Sequence, residues 1–232
     1  MTTIAIAMER IEERIQRACD RGGRKRSEVR LMGVSKFHAL PEIEDARNAG
    51  LRLFGENRVQ EAAEKFSVFK ARRPETELHL IGPLQRNKAK AAVSLFDAID
   101  SVDREALIDE LGALASGRET ALPILLELHT AEDTKSGFPN LDSLYHAAEK
   151  AYIFPGLALG GLMTMAPFTS DERLIRASFR ALSAARDKLA ARFPDRDWSC
   201  LSMGMSNDFE IAIEEGATLI RIGTALFGER HI

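Results

Sequence analysis

Cysteine is scarce in this sequence, and its scarcity excludes two classes of protein. The 232 residues include 2 cysteines, Cys19 and Cys200, which can form at most one disulfide. A small secreted domain held together by disulfides and a cysteine-based metal cluster are therefore both excluded. We expect both residues to be free thiols of a cytoplasmic protein, with Cys200 filling part of the core.

Long apolar runs and a strong net charge are also absent. No apolar run approaches the ~18 residues that a membrane-spanning helix needs, and residues 1–10 do not resemble a signal peptide. The 32 Lys and Arg residues against 35 Asp and Glu residues give a net charge of -3, which supplies no overall attraction to nucleic acid or to a membrane surface. We therefore expect neither nucleic acid nor membrane among the partners.

Several familiar catalytic motifs are missing as well. The chain has no GxSxG nucleophile motif and no Walker A motif, and its 5 histidines show no spacing typical of metal ligands, so we expect no metal. His79 lies between two leucines, which is typical of a core position. His129 ends an apolar run and stays a candidate site residue.

Short apolar runs alternate with helix-forming stretches along the chain. The runs are Val29–Lys36, Leu51–Asn57, Glu77–Gly82, Ala98–Val102, Pro123–Thr130, Leu157–Met165, Trp198–Gly204 and Thr218–Gly228. Eight strands alternating with helices predict a parallel sheet with helical crossovers, and this chain length favours closure into a single α/β barrel of the (β/α)8 TIM type. An open doubly wound sheet is the alternative. No linker divides the chain, so we expect one domain over residues 1–232.

Lys36 lies at the end of the first predicted strand, and strand ends form the functional face of such barrels. Desolvation lowers the pKa of a lysine from its ordinary value near ~10.4, so a lysine at an apolar barrel mouth can attack an aldehyde. Taken alone, however, the spacing is explained better by a solvated lysine that follows a strand.

Arg221 lies inside the last apolar run, between Ile220 and Ile222. An arginine among such neighbours needs an anionic or acceptor partner. The sequence allows two kinds of partner: a barrel carboxylate such as Glu56 or Asp208, or an atom of a ligand.

Two glycine-bearing segments near the last two strand ends indicate a phosphate site. Gly223-Thr224 comes two residues after Arg221, and Ser202-Met203-Gly204 ends the seventh run, with a helix predicted just after Ser206, over Asn207–Glu215. Backbone N–H groups in glycine-containing turns beside a helix start bind phosphate, and a phosphate site after strands seven and eight recurs in barrels. Each glycine alone is a weak signal, but the two together predict an anion site.

Eight segments of the chain jointly resemble the pyridoxal phosphate homeostasis proteins, in the order in which that family has them. The segments are Gly33–Lys36, Phe54–Glu61, His79–Lys88, Ser101–Asp103, Lys135–Gly137, Gly161–Thr164, Leu201–Ser206 and Arg221–Gly228. They cover nearly the whole chain. The chain differs at His129, where members of the family often have asparagine, and its loop 131–134 matches less well.

The resemblance implies a stand-alone barrel like the N-terminal domain of alanine racemase, with pyridoxal 5'-phosphate (PLP) as its cofactor. Lys36 would hold PLP as a Schiff base, and Arg221 would face the pyridine nitrogen. Ser202 and the Gly223–Thr224 pair would hold the phosphate, and Asn57 would lie near the cofactor. The implied cofactor-binding residues are thus Lys36, Asn57, Ser202, Arg221, Gly223 and Thr224.

The same resemblance implies a carrier rather than an enzyme. Racemases with this barrel need a second base, a tyrosine that comes from an additional β-rich domain of a partner chain. Here the only tyrosines, Tyr145 and Tyr152, lie near a predicted helix, and the chain ends after the last strand segment. An arginine at the pyridine nitrogen keeps that nitrogen unprotonated and weakens the ring as an electron sink.

We therefore expect a monomeric, non-catalytic protein that holds PLP reversibly, with PLP-dependent apo-enzymes as candidate recipients. A weak PLP-dependent racemase or lyase is the first alternative. A barrel that binds an unrelated sugar phosphate is the second.

Overall fold

Eight parallel strands close into a barrel, and helices pack around its outside. The computed structural model describes residues 2–131 and 136–229. Each strand pairs with the next one along the chain, and the last pairs with the first, which closes the sheet. The strands are β1 (Arg30–Val34), β2 (Leu53–Glu56), β3 (Glu77–Leu80), β4 (Ala98–Val102), β5 (Leu122–Glu127), β6 (Leu157–Met163), β7 (Cys200–Ser202) and β8 (Leu219–Ile222).

Helices follow the strands in strict alternation, and one further helix precedes them. They are α1 (Thr3–Arg21), α2 (Leu40–Asn48), α3 (Val59–Arg72), α4 (Ala89–Leu95), α5 (Glu105–Ala115), α6 (Leu141–Tyr152), α7 (Glu172–Arg192), α8 (Phe209–Glu214) and α9 (Thr224–Phe227), with 3-10 turns at Arg26–Glu28 and Arg86–Lys88. The Thr2 hydroxyl caps α1 by accepting a hydrogen bond from the N–H of Ala5 at 3.2 Å, a contact typically worth about 1 kcal/mol. Buried Ile4, Met8 and Ile11 recur every three or four residues, so one apolar stripe of α1 packs on its neighbours, which include α8 and α9.

A small apolar cluster fills the inside of the barrel. Met32, Leu53 and Leu219 are buried there, and Ile81 and Cys200 pack against them. These residues come from five different segments of the closed sheet, so they can meet only on its inner face. Because side chains alternate between the two faces of a strand, this cluster tells which positions of each strand point inward.

The predicted barrel is confirmed, and the open-sheet alternative is wrong because β8 pairs with β1. All eight predicted strands form, most of them shorter than their apolar runs. The largest difference is the last run, Thr218–Gly228, which is strand only as far as Ile222. Gly223 leaves the extended conformation, with ψ of -87°, and α9 follows directly.

Three further expectations bear on the class of protein. Both cysteines are free thiols, as predicted: Cys19 is on the buried side of α1, and Cys200 packs inside the barrel. Within the described part of the chain, no helix is long and apolar enough to cross a bilayer. Across residues 2–131 and 136–229, no group of three or more His, Cys, Asp or Glu side chains is arranged to hold a metal ion.

Candidate functional site

The residues predicted to bind a ligand lie at one end of the barrel. Ser202 on β7 and Arg221 on β8 are two residues along from the inward-facing Cys200 and Leu219, so both side chains point into the barrel. Lys36, Asn57 and the Gly223–Thr224 pair come one or two residues after the C-terminal ends of β1, β2 and β8. All the predicted site residues are therefore at the C-terminal mouth.

Strands β1 and β8 bring the first and last parts of this site together. Met32 on β1 pairs with Arg221 on β8. A Cβ atom built on Gly223 would lie 3.5 Å from the carbonyl oxygen of Val34, so Gly223 lies beside the last residue of β1. Lys36 follows two residues later and is half-buried. The lysine and Gly223 therefore line the same part of the mouth.

Arg221 is held inside the mouth by uncharged acceptors. Its side chain is 4% exposed. Nη1 donates to the carbonyl oxygen and to the hydroxyl of Ser202, both at 2.7 Å, and Nη2 donates to the carbonyl oxygen of Thr164 at 2.8 Å. Burial lowers the pKa of Arg221, and nearby carboxylates, Asp100 foremost, oppose this effect. Among the described residues, Arg221 forms no ion pair.

The two carboxylates that the sequence offered as partners of Arg221 make other contacts. Asp208 accepts a hydrogen bond from the N–H of Met205 at 2.6 Å. Glu56 is fully buried, and its Oε1 lies 2.6 Å from Nζ of Lys65. The guanidinium therefore has no counter-charge in direct contact, an environment suited to an acceptor atom of a ligand.

The loops after β7 and β8 lie side by side. The N–H of Arg221 donates to the carbonyl oxygen of Gly204 at 2.9 Å, and the N–H of Ala225 donates to the Ser206 hydroxyl at 3.3 Å. The helix predicted just after Ser206, over Asn207–Glu215, forms as α8 but is shorter, Phe209–Glu214, and the Ser206 hydroxyl joins the two loops. The two glycine-bearing segments are therefore neighbours in the fold, and the anion site that the sequence predicts there stays a prediction.

Ser202 is a partner of Arg221 rather than an exposed rim residue. Its side chain is fully buried, and its hydroxyl oxygen accepts the hydrogen bond from Arg221. A hydroxyl that accepts one hydrogen bond still has its own proton to donate. Ser202 can therefore hold the guanidinium and donate to an anion at the same time.

The residue before Lys36 is tied to the outside of the barrel wall. The Ser35 hydroxyl donates to Oε1 of Glu56 at 2.6 Å, and the Ser35 carbonyl oxygen accepts from Nζ of Lys65 at 2.8 Å. Burial raises the pKa of Glu56, against the attraction of Lys65. Sequence reasoning missed this arrangement, because a barrel carboxylate and a lysine on α3 carry no motif of their own.

The residue after Lys36 is tied to α3 as well. The N–H of Phe37 donates to Oε1 of Glu61 at 2.5 Å, and the same oxygen lies 2.9 Å from Nζ of Lys65. Phe37 has a φ of 66°, a left-handed conformation that costs a residue with a side chain about 1–3 kcal/mol. A strained residue next to a predicted functional lysine is typical of a functional turn.

Glu127 is a further polar residue of the mouth that sequence reasoning missed. It ends β5 and is 5% exposed, and its Oε1 accepts a hydrogen bond from the Ser136 hydroxyl at 2.9 Å. Burial raises the pKa of Glu127. The signal for it was present, since a carboxylate closes the otherwise apolar strand segment that starts at Leu122.

The loop after β5 is described only in part. The N–H of His129 donates to the carbonyl oxygen of Phe138 at 2.9 Å, and the imidazole is half-buried. Residues 132–135 lie outside the described residues, and with them most of the looser-matching loop 131–134 and Lys135 of the matched segment Lys135–Gly137.

Comparison with known proteins agrees with this geometry. The sequence profile of the family described as "Alanine racemase, N-terminal domain" matches residues 6–231. The chain is 41% identical over 226 residues to the pyridoxal phosphate homeostasis protein of Aquifex aeolicus, covering 96% of each chain. It is 39% identical over 233 residues to the protein of the same name from Vibrio cholerae, covering 99% of this chain and 98% of the other.

A solved structure with similar coverage is that of PipY from Synechococcus elongatus with PLP bound. It superimposes with a TM-score of 0.86 at 34% identity, over 97% of this chain and all of PipY. Fold, full-length coverage and identity all agree, and the chain belongs to the alanine racemase N-terminal-domain family and, within it, to the pyridoxal phosphate homeostasis proteins.

Proposed function

We propose that residues 1–232 form a single domain that binds PLP at the C-terminal mouth of the barrel and buffers its concentration in the cytoplasm, without turning over amino acids. The observation that carries the proposal is that Lys36, the buried Arg221 and Gly223 lie together at the C-terminal ends of the paired strands β1 and β8. The PLP-bound PipY structure, 34% identical over its full length, supports it.

The residues of the mouth fit three of the polar groups of PLP, the aldehyde, the pyridine nitrogen and the phosphate. A primary amine, a fixed cation and a set of backbone and hydroxyl donors are available at Lys36, Arg221 and the Ser202/Gly223–Thr224 region. When bound, the cofactor supplies an aldehyde that condenses reversibly with a primary amine and releases water. Lys36 is half-buried at the rim and would supply the primary amine for this condensation.

Arg221 would fix the orientation of the pyridine ring. Its guanidinium is immobilised through Ser202 and Thr164, so its remaining donors have a defined direction. An arginine does not give up its proton in a protein, so it can only donate to the ring nitrogen and leaves that nitrogen unprotonated. An unprotonated pyridine withdraws electrons weakly, which suits storage better than amino-acid chemistry.

Donors for the phosphate would come from the start of α9 and from the loops beside it. Gly223 and Thr224 begin this helix, where N–H groups have no acceptor within the helix. The Ser202 hydroxyl can add a further donor while it accepts from Arg221. Asn57, which directly follows β2 at the same end of the barrel, would lie near the pyridine ring.

The positions of the two tyrosines support a carrier. Tyr145 and Tyr152 are both on the outer helix α6, where their rings pack on Phe193 at the end of α7. The Tyr152 hydroxyl donates to Asp195 at 2.6 Å. Neither is near the mouth, so neither could act as the second base that a racemase needs. Delivery to PLP-dependent apo-enzymes by a monomer is the role that we infer.

Borohydride trapping followed by mass spectrometry tests the proposal. After incubation with PLP, we expect a stable PLP mass on the peptide that contains Lys36, and an absorbance band that Lys36→Ala abolishes. Lys150→Ala, on the outer helix α6, is the control and should keep both signals. A wild-type protein without adduct would favour the sugar-phosphate alternative, and steady Lys36-dependent turnover of an amino acid would overturn the carrier role.

A further inference from the structure

The main chain on both sides of Lys36 is held by three charged side chains that are outside the binding space. We call them the Lys65 cluster, which comprises Glu56, Glu61 and Lys65. Gly55 on β2 faces the inside of the barrel, so the side chain of the next residue, Glu56, points outward, toward α3. The cluster therefore lies behind the barrel wall, and it bonds to both chain neighbours of Lys36, Ser35 and Phe37.

The cluster fixes Ser35 at two atoms. The Ser35 hydroxyl donates to Glu56 at 2.6 Å, and the Ser35 carbonyl oxygen accepts from the ammonium of Lys65 at 2.8 Å. The N–H of His38 donates to the same carbonyl oxygen at 3.1 Å, which closes a tight turn around Lys36. The peptide group that precedes Lys36 is thus held by a fixed positive charge and by the turn itself.

Phe37 completes the turn in a conformation that needs support. Its φ of 66° is rare for a residue with a ring, and such conformations persist only where the surroundings impose them. The hydrogen bond from its N–H to Glu61 provides part of that support. Burial raises the pKa of Glu61, but the bonds from Lys65 and from the Phe37 N–H outweigh this and lower it, so Glu61 stays ionised at neutral pH.

Because the Lys65 cluster is largely buried, its three residues depend on one another. Glu56 is fully buried, and the side chains of Lys65 and Glu61 are 12% and 22% exposed. One ammonium serves both carboxylates. Loss of Lys65 would leave a buried acid without a counter-charge, so the three residues act as one unit.

We propose that the Lys65 cluster is a positioning device that fixes the Ser35–Phe37 turn and so aims the amine of Lys36 at the aldehyde of the ligand. This inference rests on the proposed function and names residues that serve it without touching PLP. Holding two reacting groups in the correct relative position accelerates their reaction, and a small misplacement slows it strongly. Release, which passes through the same geometry in reverse, would also depend on the turn.

The first test uses protein freed of PLP, so it does not depend on the proposed function. Hydrogen exchange of the peptide that covers residues 35–38 is compared in wild type, Glu61→Ala, Lys65→Met and the control Lys70→Met. Lys70 is matched because it is also on α3 and also bonds a carboxylate and a carbonyl, Asp97 and Leu95, but away from Lys36. We expect exchange about tenfold faster in the two cluster variants and unchanged in the control.

The second test measures PLP association and release by the absorbance of the Lys36 adduct. Both cluster variants should bind PLP about tenfold more slowly or weakly than the Lys70→Met control, while far-ultraviolet circular dichroism and thermal unfolding show a folded barrel. If Lys65→Met does not fold, Glu61→Ala and Glu61→Gln carry the test. Binding within about twofold of the control in the folded variants overturns the positioning role.

A double-mutant cycle between positions 37 and 61 separates positioning from general destabilisation. Glycine adopts a left-handed conformation without strain, so Phe37→Gly should need Glu61 less than Phe37 does. We expect Glu61→Ala to slow PLP binding less in the Phe37→Gly background than in wild type. Equal losses in both backgrounds would contradict the proposal. A wild-type protein that forms no adduct would instead contradict the proposed function, and the hydrogen-exchange result would still stand.

Discussion

The hydroxyl of Ser202 lies 2.7 Å from Nη1 of Arg221, and both side chains are buried at the C-terminal end of the barrel. This contact joins β7 to β8 by side chains, in addition to main-chain hydrogen bonds such as those from the N–H of Thr218 to Leu201 and from the N–H of Met203 to Leu219. Arg221 also reaches the carbonyl oxygen of Thr164 after β6. One arginine thus connects three consecutive strand ends, and the shape of the mouth depends on it.

We expect Ser202→Ala to lower the free energy of unfolding by about 2 kcal/mol, because it removes one acceptor from a buried charged donor. Ser206→Ala is the matched control: its hydroxyl accepts a longer, neutral bond from Ala225 in a less buried loop, and we expect a loss below about 1 kcal/mol. Urea denaturation of the PLP-free proteins measures both. Equal effects of the two substitutions would show that the contact with Arg221 adds nothing to stability.

Arg221→Lys should weaken PLP binding by about 10- to 100-fold, although the charge is kept. The arginine uses two different nitrogens to reach Ser202 and Thr164, and a lysine has one. A single ammonium group cannot bond both Ser202 and Thr164 and also face the pyridine ring of PLP. Equilibrium titration with PLP gives the affinity, and the wavelength of the Lys36 adduct reports the ring environment. Affinity within about twofold of wild type would show that charge alone suffices.

The order of strands could be predicted from the sequence because each strand is a short apolar run bounded by turn residues and helix formers. The last run shows the limit of this reasoning. Ala225, Leu226 and Phe227 continue the apolar run after β8, and a helix of four residues is too short to show a helical period. Only the pairing with β1 shows that the strand has ended by then.

Candidate ligand residues could be recognised where their type was unusual for their place. Lys36 at a strand end and Arg221 in an apolar strand are such cases. The contact from Arg221 to Ser202, by contrast, spans 19 residues and depends on closure of the barrel. The contacts of Lys65 with Ser35 and Glu56 have the same origin: they join segments that only the fold brings together.

The opposite end of the barrel contains a buried histidine between two carboxylates. Nδ1 of His79 lies 3.0 Å from Asp100, and Nε2 lies 2.7 Å from Glu77. Glu77 in turn pairs with Arg30 at 2.6 Å. Burial alone would lower the pKa of His79, but Asp100 and then Glu77 outweigh it and raise the pKa to about 9. Cys200, beside this group, has its pKa raised to about 12 by burial, so it does not titrate near neutral pH.

Protonated His79 should therefore make the stability of the barrel depend on pH. Because its pKa is about 9 in the folded protein and near 6.5 when unfolded, its contribution is complete below pH 6.5 and is lost as the pH rises through 9. That difference corresponds to about 3 kcal/mol at most. Urea denaturation at pH 6.5 and pH 9.5 should show this decline in wild type. His79→Gln, which cannot titrate, should be less stable at pH 6.5 and should lose less stability than wild type over the same interval, where ionisation of Cys200 in the unfolded chain causes part of the decline. If the wild-type protein were equally stable at pH 6.5 and pH 9.5, His79 would be neutral in the folded protein and would form no ion pair with Asp100 or Glu77.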